Sequence, residues 1–259
     1  MKLVLLSLCF WLSCVLQISA DLNDSCGQRE DSSWKWHVQL LNIQLTEQDL
    51  NCGGTLLNKL FVTTTAHCLY NLNGDQLDIG QLRIIFPDGE YRSIRRTFQP
   101  KPFDIENISN DFVLLLLDRE VSYNYLVAPI CLPKVYEIQV QDVHTPVLTS
   151  GSLSVNREDT CLNDTNILFG MVYMDAICLG TFDRSHKYHR NAGSGIFAKR
   201  SSKWYLVGLV MYTTGPTKIR ITYIGGIHLQ RYLTWIKRTM DHYSQAPSII
   251  EKSSNCSFR

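Results

Sequence analysis

Apolar residues along this chain recur in short runs separated by turn residues. The runs WKWHVQLL, GGTLLNKLFVTT, QLRIIF, FVLLLLD, TPVLTSG, NILFGMVYM, SGIFAK and WYLVGLVMY are rich in Val, Ile, Leu and aromatic side chains, which suit a pleated, half-buried surface. Their regular spacing predicts an antiparallel all-β barrel or sandwich. The period changes near the end, where Leu229, Tyr232, Leu233, Ile236, Met240 and Tyr243 fall on one face of a helix that Pro247 closes. No internal repeat or low-complexity linker interrupts the chain, and a short polar tail follows Ala246.

The first residues follow a different logic. Lys2 precedes the apolar stretch LVLLSLCFWLSCVL, and QISA ends on the small residue Ala20, so residues 1–20 read as a secretory signal peptide. The stretch is short for a bilayer span and no later segment reaches that length, so a soluble, secreted, extracellular product with no membrane insertion is expected. At 45% hydrophobic residues the remainder suffices for one large all-β domain or two small lobes. Loss of Lys2 leaves basic and acidic residues in balance, and no charge excess points to nucleic acid.

Of the nine cysteines, Cys9 and Cys14 lie in the signal segment, leaving Cys26, Cys52, Cys68, Cys131, Cys161, Cys178 and Cys256. An odd set in an oxidising compartment implies three internal disulfides and one cysteine that is free or joined to another chain. Sequons at Asn23, Asn107, Asn163 and Asn255 are candidate glycan acceptors and agree with secretion.

The chemistry-bearing residues begin with Cys52-Gly53-Gly54 and the later Val62-Thr63-Thr64-Thr65-Ala66-His67-Cys68, a β-branched strand running into a small-residue turn that carries a histidine. Next comes Ser109-Asn110-Asp111-Phe112-Val113-Leu114-Leu115-Leu116-Leu117, followed by Ala128-Pro129-Ile130-Cys131-Leu132-Pro133. Met174-Asp175-Ala176-Ile177-Cys178-Leu179-Gly180, Gly208-Leu209-Val210, Gly225-Gly226-Ile227 and Leu233-Thr234-Trp235-Ile236 complete the set. Over roughly residues 34–237 these motifs resemble the trypsin/chymotrypsin-fold serine proteases. The resemblance implies two antiparallel six-stranded β-barrels, about 34–130 and 143–228, with a C-terminal helix about 229–245. The protease-like domain would span 21–245, and residues 246–259 would form a tail.

By the same resemblance, His67 is the general base and Asp111 the buried carboxylate that orients it. Cys52 pairs with Cys68, Cys161 with Cys178 and Cys26 with Cys131, while Cys256 competes for a partner or joins another chain. The family's nucleophile segment, in its Asp-Ser-Gly-Gly-Gly-Leu-Phe form, aligns without a gap on Asn191-Ala192-Gly193-Ser194-Gly195-Ile196-Phe197. The nucleophile position falls on Ala192, and a methyl group cannot attack a carbonyl. Ser194 is the alternative nucleophile of an active endopeptidase, but it needs a two-residue shift that places Gly193 at the aspartate position and Ile196 where a glycine is required.

Two further departures point the same way. The family's activation segment has no counterpart between Cys26 and Trp34, and neutral Asn191 stands where a buried aspartate would await the new ammonium terminus, an unpaired charge being costly there. The pocket-wall positions are Met211-Tyr212-Thr213, the pocket disulfide is absent, and His186 stands near the floor position. The expectation is a catalytically inactive homologue that binds extracellular proteins, namely proteases, inhibitors or cascade substrates. No cofactor and no metal are expected: His186 and His189 lack a third ligand at suitable spacing. The basic residues Arg92, Arg95, Arg96 and Lys101 read as a solvated face.

Overall fold

The computed structural model describes residues 26–29, 33–44, 51–71, 73–104, 109–134, 143–145, 154–155, 176–181, 192–213 and 222–244. Six antiparallel strands close the first barrel: β1 (His37–Asn42), β2 (Asn51–Leu56), β3 (Phe61–Thr64), β4 (Leu82–Ile85), β5 (Tyr91–Phe98) and β6 (Val113–Leu117), in the order β1-β2-β3-β6-β5-β4. Alternation sets the register where one face meets water: in β1, Val38 and Leu40 point into the barrel while Gln39 is exposed. In β6 all five residues are buried, which explains its uninterrupted apolar run.

The second lobe is a six-stranded sheet of β7 (Val143–His144), β8 (Ser154–Val155), β9 (Ala176–Thr181), β10 (Gly195–Arg200), β11 (Lys203–Thr213) and β12 (Thr222–His228), in the order β7-β10-β11-β12-β9-β8. The lobes meet through aromatic side chains: Trp34 lies 5.1 Å from Phe197 and 5.2 Å from Trp204, and Trp36 lies edge-on to Phe197 at 5.5 Å. Backbone bonds from Cys131 N to Trp204 O and from Leu206 N to Cys131 O continue the join.

The C-terminal helix is shorter than its apolar periodicity predicts. Leu229–Arg231 forms a 3₁₀ turn, capped by His228 Nδ1 accepting from Gln230 N at 3.1 Å, and the α-helix proper, α1, is Leu233–Ser244. Its apolar face returns to the first barrel, with Tyr232 stacked on Phe112 at 4.6 Å and Tyr243 against Phe98 at 4.6 Å.

The basic residues of β5 do not form one solvated face. Arg92 is buried, donating from Nη1 to Tyr91 O at 2.7 Å with Glu90 at 3.5 Å, because its long stem can line the barrel wall while the guanidinium finds carbonyls at the rim. Arg96 donates to the Tyr243 hydroxyl at 3.0 Å and lies over the Phe98 ring, so it holds α1 to the barrel. Arg95 and Lys101 are exposed.

Candidate active site

The loops at one end of β3 and β6 bring His67 and Asp111 together. β3 pairs antiparallel with β6, Thr64 opposite Val113, so the residues just after β3 meet those just before β6. Thr63, Thr64 and Thr65 are fully buried, and their hydroxyls are satisfied locally: Thr63 Oγ1 donates to Val113 O at 3.1 Å, Thr64 Oγ1 donates to Gly53 O at 2.7 Å, and Thr65 Oγ1 lies 3.1 Å from Cys68 Sγ. A 3₁₀ turn over Ala66–Leu69 then carries His67, and a disulfide joins Cys68 to Cys52 in β2.

Asp111 is aimed by its predecessor. Asn110 adopts a left-handed backbone (φ 57°), and Phe112 N donates to Asn110 O at 2.7 Å across this tight turn. The Asp111 carboxylate is buried and accepts twice from one residue, from His67 N at 2.7 Å and from His67 Nδ1 at 2.7 Å. The histidine side chain is about one-third exposed (32%), so its ring is fixed at Nδ1 and open toward solvent elsewhere. An imidazole held this way can take up or deliver a proton at Nε2.

The third element is the turn before β10. Ala192 O accepts from Gly53 N at 2.7 Å, Gly193 N donates to Val210 O at 2.7 Å, and Val210 N donates to Ser194 O at 2.8 Å. The turn is therefore docked between β2, beside the Cys52–Cys68 bridge, and β11. Ala192 is half-buried and packs against the core, offering only a methyl group. Ser194 is buried, 1% exposed, with its hydroxyl packed against Gly53 so closely that a Cβ at Gly53 would collide with it. Met211, at the wall position, is half-buried against the core.

Cys52, His67 and Cys68 bring ligand-type atoms within 4.8 Å of one another, but both sulfurs are joined in the disulfide and neither can act as a thiolate ligand. The second described bridge, Cys26–Cys131, ties the N-terminal segment to the segment between the lobes, and Gly27 N donates to Pro129 O at 2.8 Å beside it. Arg29 then stacks on Trp34, its Cζ 3.7 Å from the ring centroid.

Another titratable group is set into the barrel wall. His37 Nδ1 is buried with no hydrogen-bond partner among the described residues, and burial pushes the imidazole down to about 4, against a smaller opposing contribution from a backbone hydrogen bond with Gly54.

Several expected features fall outside the described residues: Asn191, His186, His189, Cys161, Cys256, and the sequon residues Asn23, Asn107, Asn163 and Asn255. Cys178 lies in β9 opposite Gly225, but its proposed partner is among these. Conversely, sequence reasoning did not single out Thr64, Asn110 or the Gly53 amide. The one available signal was the run of three threonines before Ala66, whose hydroxyls need partners once buried.

Two β lobes joined at an aromatic seam, with a disulfide-clamped histidine bonded to a buried aspartate, form the frame of a serine protease. The match to known proteins agrees: the Trypsin family model covers residues 26–236, and the chain belongs to that family. It is similar to cathepsin G of Mus musculus, at 24% identity over 80% of this chain and 82% of that protein. It is also similar to serine protease grass of Drosophila melanogaster, at 22% identity over 87% of this chain and 72% of that protein. Among the described residues no helix is long and apolar enough to cross a membrane.

Proposed function

We propose that this protein is a secreted, non-cleaving member of the trypsin family that acts by binding other extracellular proteins of a proteolytic cascade. The observation that carries this reading is Ala192: its carbonyl is docked on the Gly53 amide beside the histidine loop, and its side chain holds no oxygen. With a methyl group at the position expected for the nucleophile, no acyl intermediate forms there, and the rest of a triad does not substitute for the missing atom. Enclosure of the Ser194 hydroxyl against Gly53 argues against a substitute nucleophile, which must reach a substrate carbonyl.

The retained pair of His67 and Asp111 has a structural explanation. The carboxylate is buried with two hydrogen bonds from one residue, so losing either partner leaves an unsatisfied group at a cost of about 1–3 kcal/mol or more. Selection on folding alone would keep the pair.

Secretion is part of the reading. It is supported by the 1–20 leader pattern, by bridges at Cys26–Cys131 and Cys52–Cys68, and by the sequons at Asn23, Asn107, Asn163 and Asn255. The processed chain would run as a 21–245 domain and a 246–259 tail, with a Cys161–Cys178 bridge and Cys256 left for an intermolecular link.

The test restores what is missing. The double variant Asn191→Asp/Ala192→Ser is expected to show no measurable turnover of peptide amides, because the activation terminus and the substrate pocket are also lost and the oxyanion site depends on them. Robust cleavage by this variant would show that these two positions alone silence an otherwise complete enzyme, and would overturn the reading.

A further inference from the structure

The end of the first barrel remote from His67 carries a groove of about 800 Å³ that neither the dyad nor the Ala192 turn lines. Strand direction fixes this placement. His67 follows β3 and Asp111 precedes β6, whereas Lys59 precedes β3 and Glu120 follows β6; the two pairs therefore cap opposite ends of the same antiparallel strand pair, roughly 15 Å apart at about 3.3 Å per residue. Lys59 Nζ and Glu120 Oε2 approach to 3.7 Å at the remote end.

Four lysines surround the groove: Lys59, Lys134, Lys203 and Lys237. They come from four separate parts of the chain, the turn before β3, the segment after Cys131, the start of β11 and helix α1. Among the described lining residues only two carboxylates, Glu120 and Asp241, accompany them, and the Lys59–Glu120 pair leaves three lysines against one carboxylate. The groove is therefore cationic in a chain whose total charge is almost balanced, at +1. Apolar side chains, Leu57, Leu60, Leu132 and Met240 among them, also line it. Tyr123 adds a phenol whose ionisation is pushed up by burial and then by Glu120, so it remains a hydrogen-bond donor.

We propose that this groove is a docking site for an acidic, leucine-type-rich segment of a partner protein, with aliphatic side chains against its apolar lining residues and carboxylates among the lysines. The volume lies in the range of sites that enclose a ligand of several hundred daltons, which suits a short peptide stretch. A sulfated glycan fits less well, because it brings no aliphatic group to cover Leu57, Leu60, Leu132 and Met240. A partner held here leaves the His67 face open. The assignment does not depend on whether residue 192 supports catalysis, since a cleaving protein with the same surface would carry the same groove.

The test uses the full mature protein and a fluorescein-labelled octapeptide of alternating glutamate and leucine, followed by fluorescence anisotropy. Saturable binding is expected, weakened at least about tenfold by Lys134→Glu/Lys237→Glu and also by 0.5 M salt, where a charged rim is screened. The control Arg95→Glu/Lys101→Glu, which changes charge equally but lies outside the groove, should leave affinity within about twofold. A serine-for-leucine version of the peptide should bind at least about tenfold more weakly. Equal loss in both double variants, equal binding of the serine peptide, absence of saturable binding, or binding of a heparin octasaccharide in preference to the peptide would each overturn the proposal.

Discussion

Replacing Gly193 with alanine is expected to destabilise the protein by more than about 4 kcal/mol, a loss seen only when a substitution meets a specific structural obstacle. Gly193 sits at φ +80°, where a side chain costs roughly 1–2 kcal/mol. A Cβ at this position would also collide with Thr64 Oγ1 and the Gly53 carbonyl. These two atoms bond each other and hold the end of β3 to β2, so neither can retreat without breaking the support of the histidine loop. Gly89 provides the matched control, because it has a similar φ of +84° and nothing within 4 Å of its would-be Cβ. Urea unfolding should show Gly89→Ala costing about 1–2 kcal/mol, the backbone contribution alone. Equal losses at the two positions would mean that the contact with Thr64 and Gly53 carries no energy.

Phe112→Ala should cost about 3–5 kcal/mol, in the range of large aromatic truncations in a packed core. Phe112 is fully buried, stacks on Tyr232 at 4.6 Å and meets Trp235 edge-on at 6.1 Å. It joins β6 to the C-terminal helix and adjoins Asp111 in sequence. Its loss should therefore loosen α1 before it loosens the barrel. Hydrogen exchange should show amides of Leu233–Ser244 losing protection more than those of β3 and β6. Uniform loss across both regions, or a total cost below about 1.5 kcal/mol, would contradict this view of the helix attachment.

Barrel 1 was largely legible in the sequence because its strands obey simple periodicities. β6 reads as a buried strand from its five consecutive apolar residues, and β1 shows the alternation of a half-buried one. β5 was not legible as a strand. In YRSIRRTF three arginines interrupt the apolar pattern, and a strand emerges only because Arg92 folds its stem into the wall and Arg96 reaches Tyr243 far along the chain. A register shift between Ile94 and Arg96 further breaks the alternation that a period-two reading depends on.

The site was legible to the extent that local motifs carry it. His67 and Asp111 lie in distinctive segments, and the structure joins them at 2.7 Å. What no linear pattern shows is the enclosure of Ser194 or the docking of Ala192 on Gly53, since both depend on residues about 140 positions apart meeting across the lobe boundary. The lysine groove was equally hidden, because its four cations come from four separated segments, none of which is strongly basic by itself.

If Ala192 stands at the nucleophile position as proposed, no covalent acyl or phosphonyl bond forms beside His67. The check is to incubate the purified mature protein with a fluorophosphonate probe and measure intact and peptide masses. An unmodified mass is expected under conditions that label an active trypsin-family enzyme completely. A stoichiometric adduct on Ser194, lost in Ser194→Ala, would contradict it and would make this chain a working protease with a displaced nucleophile.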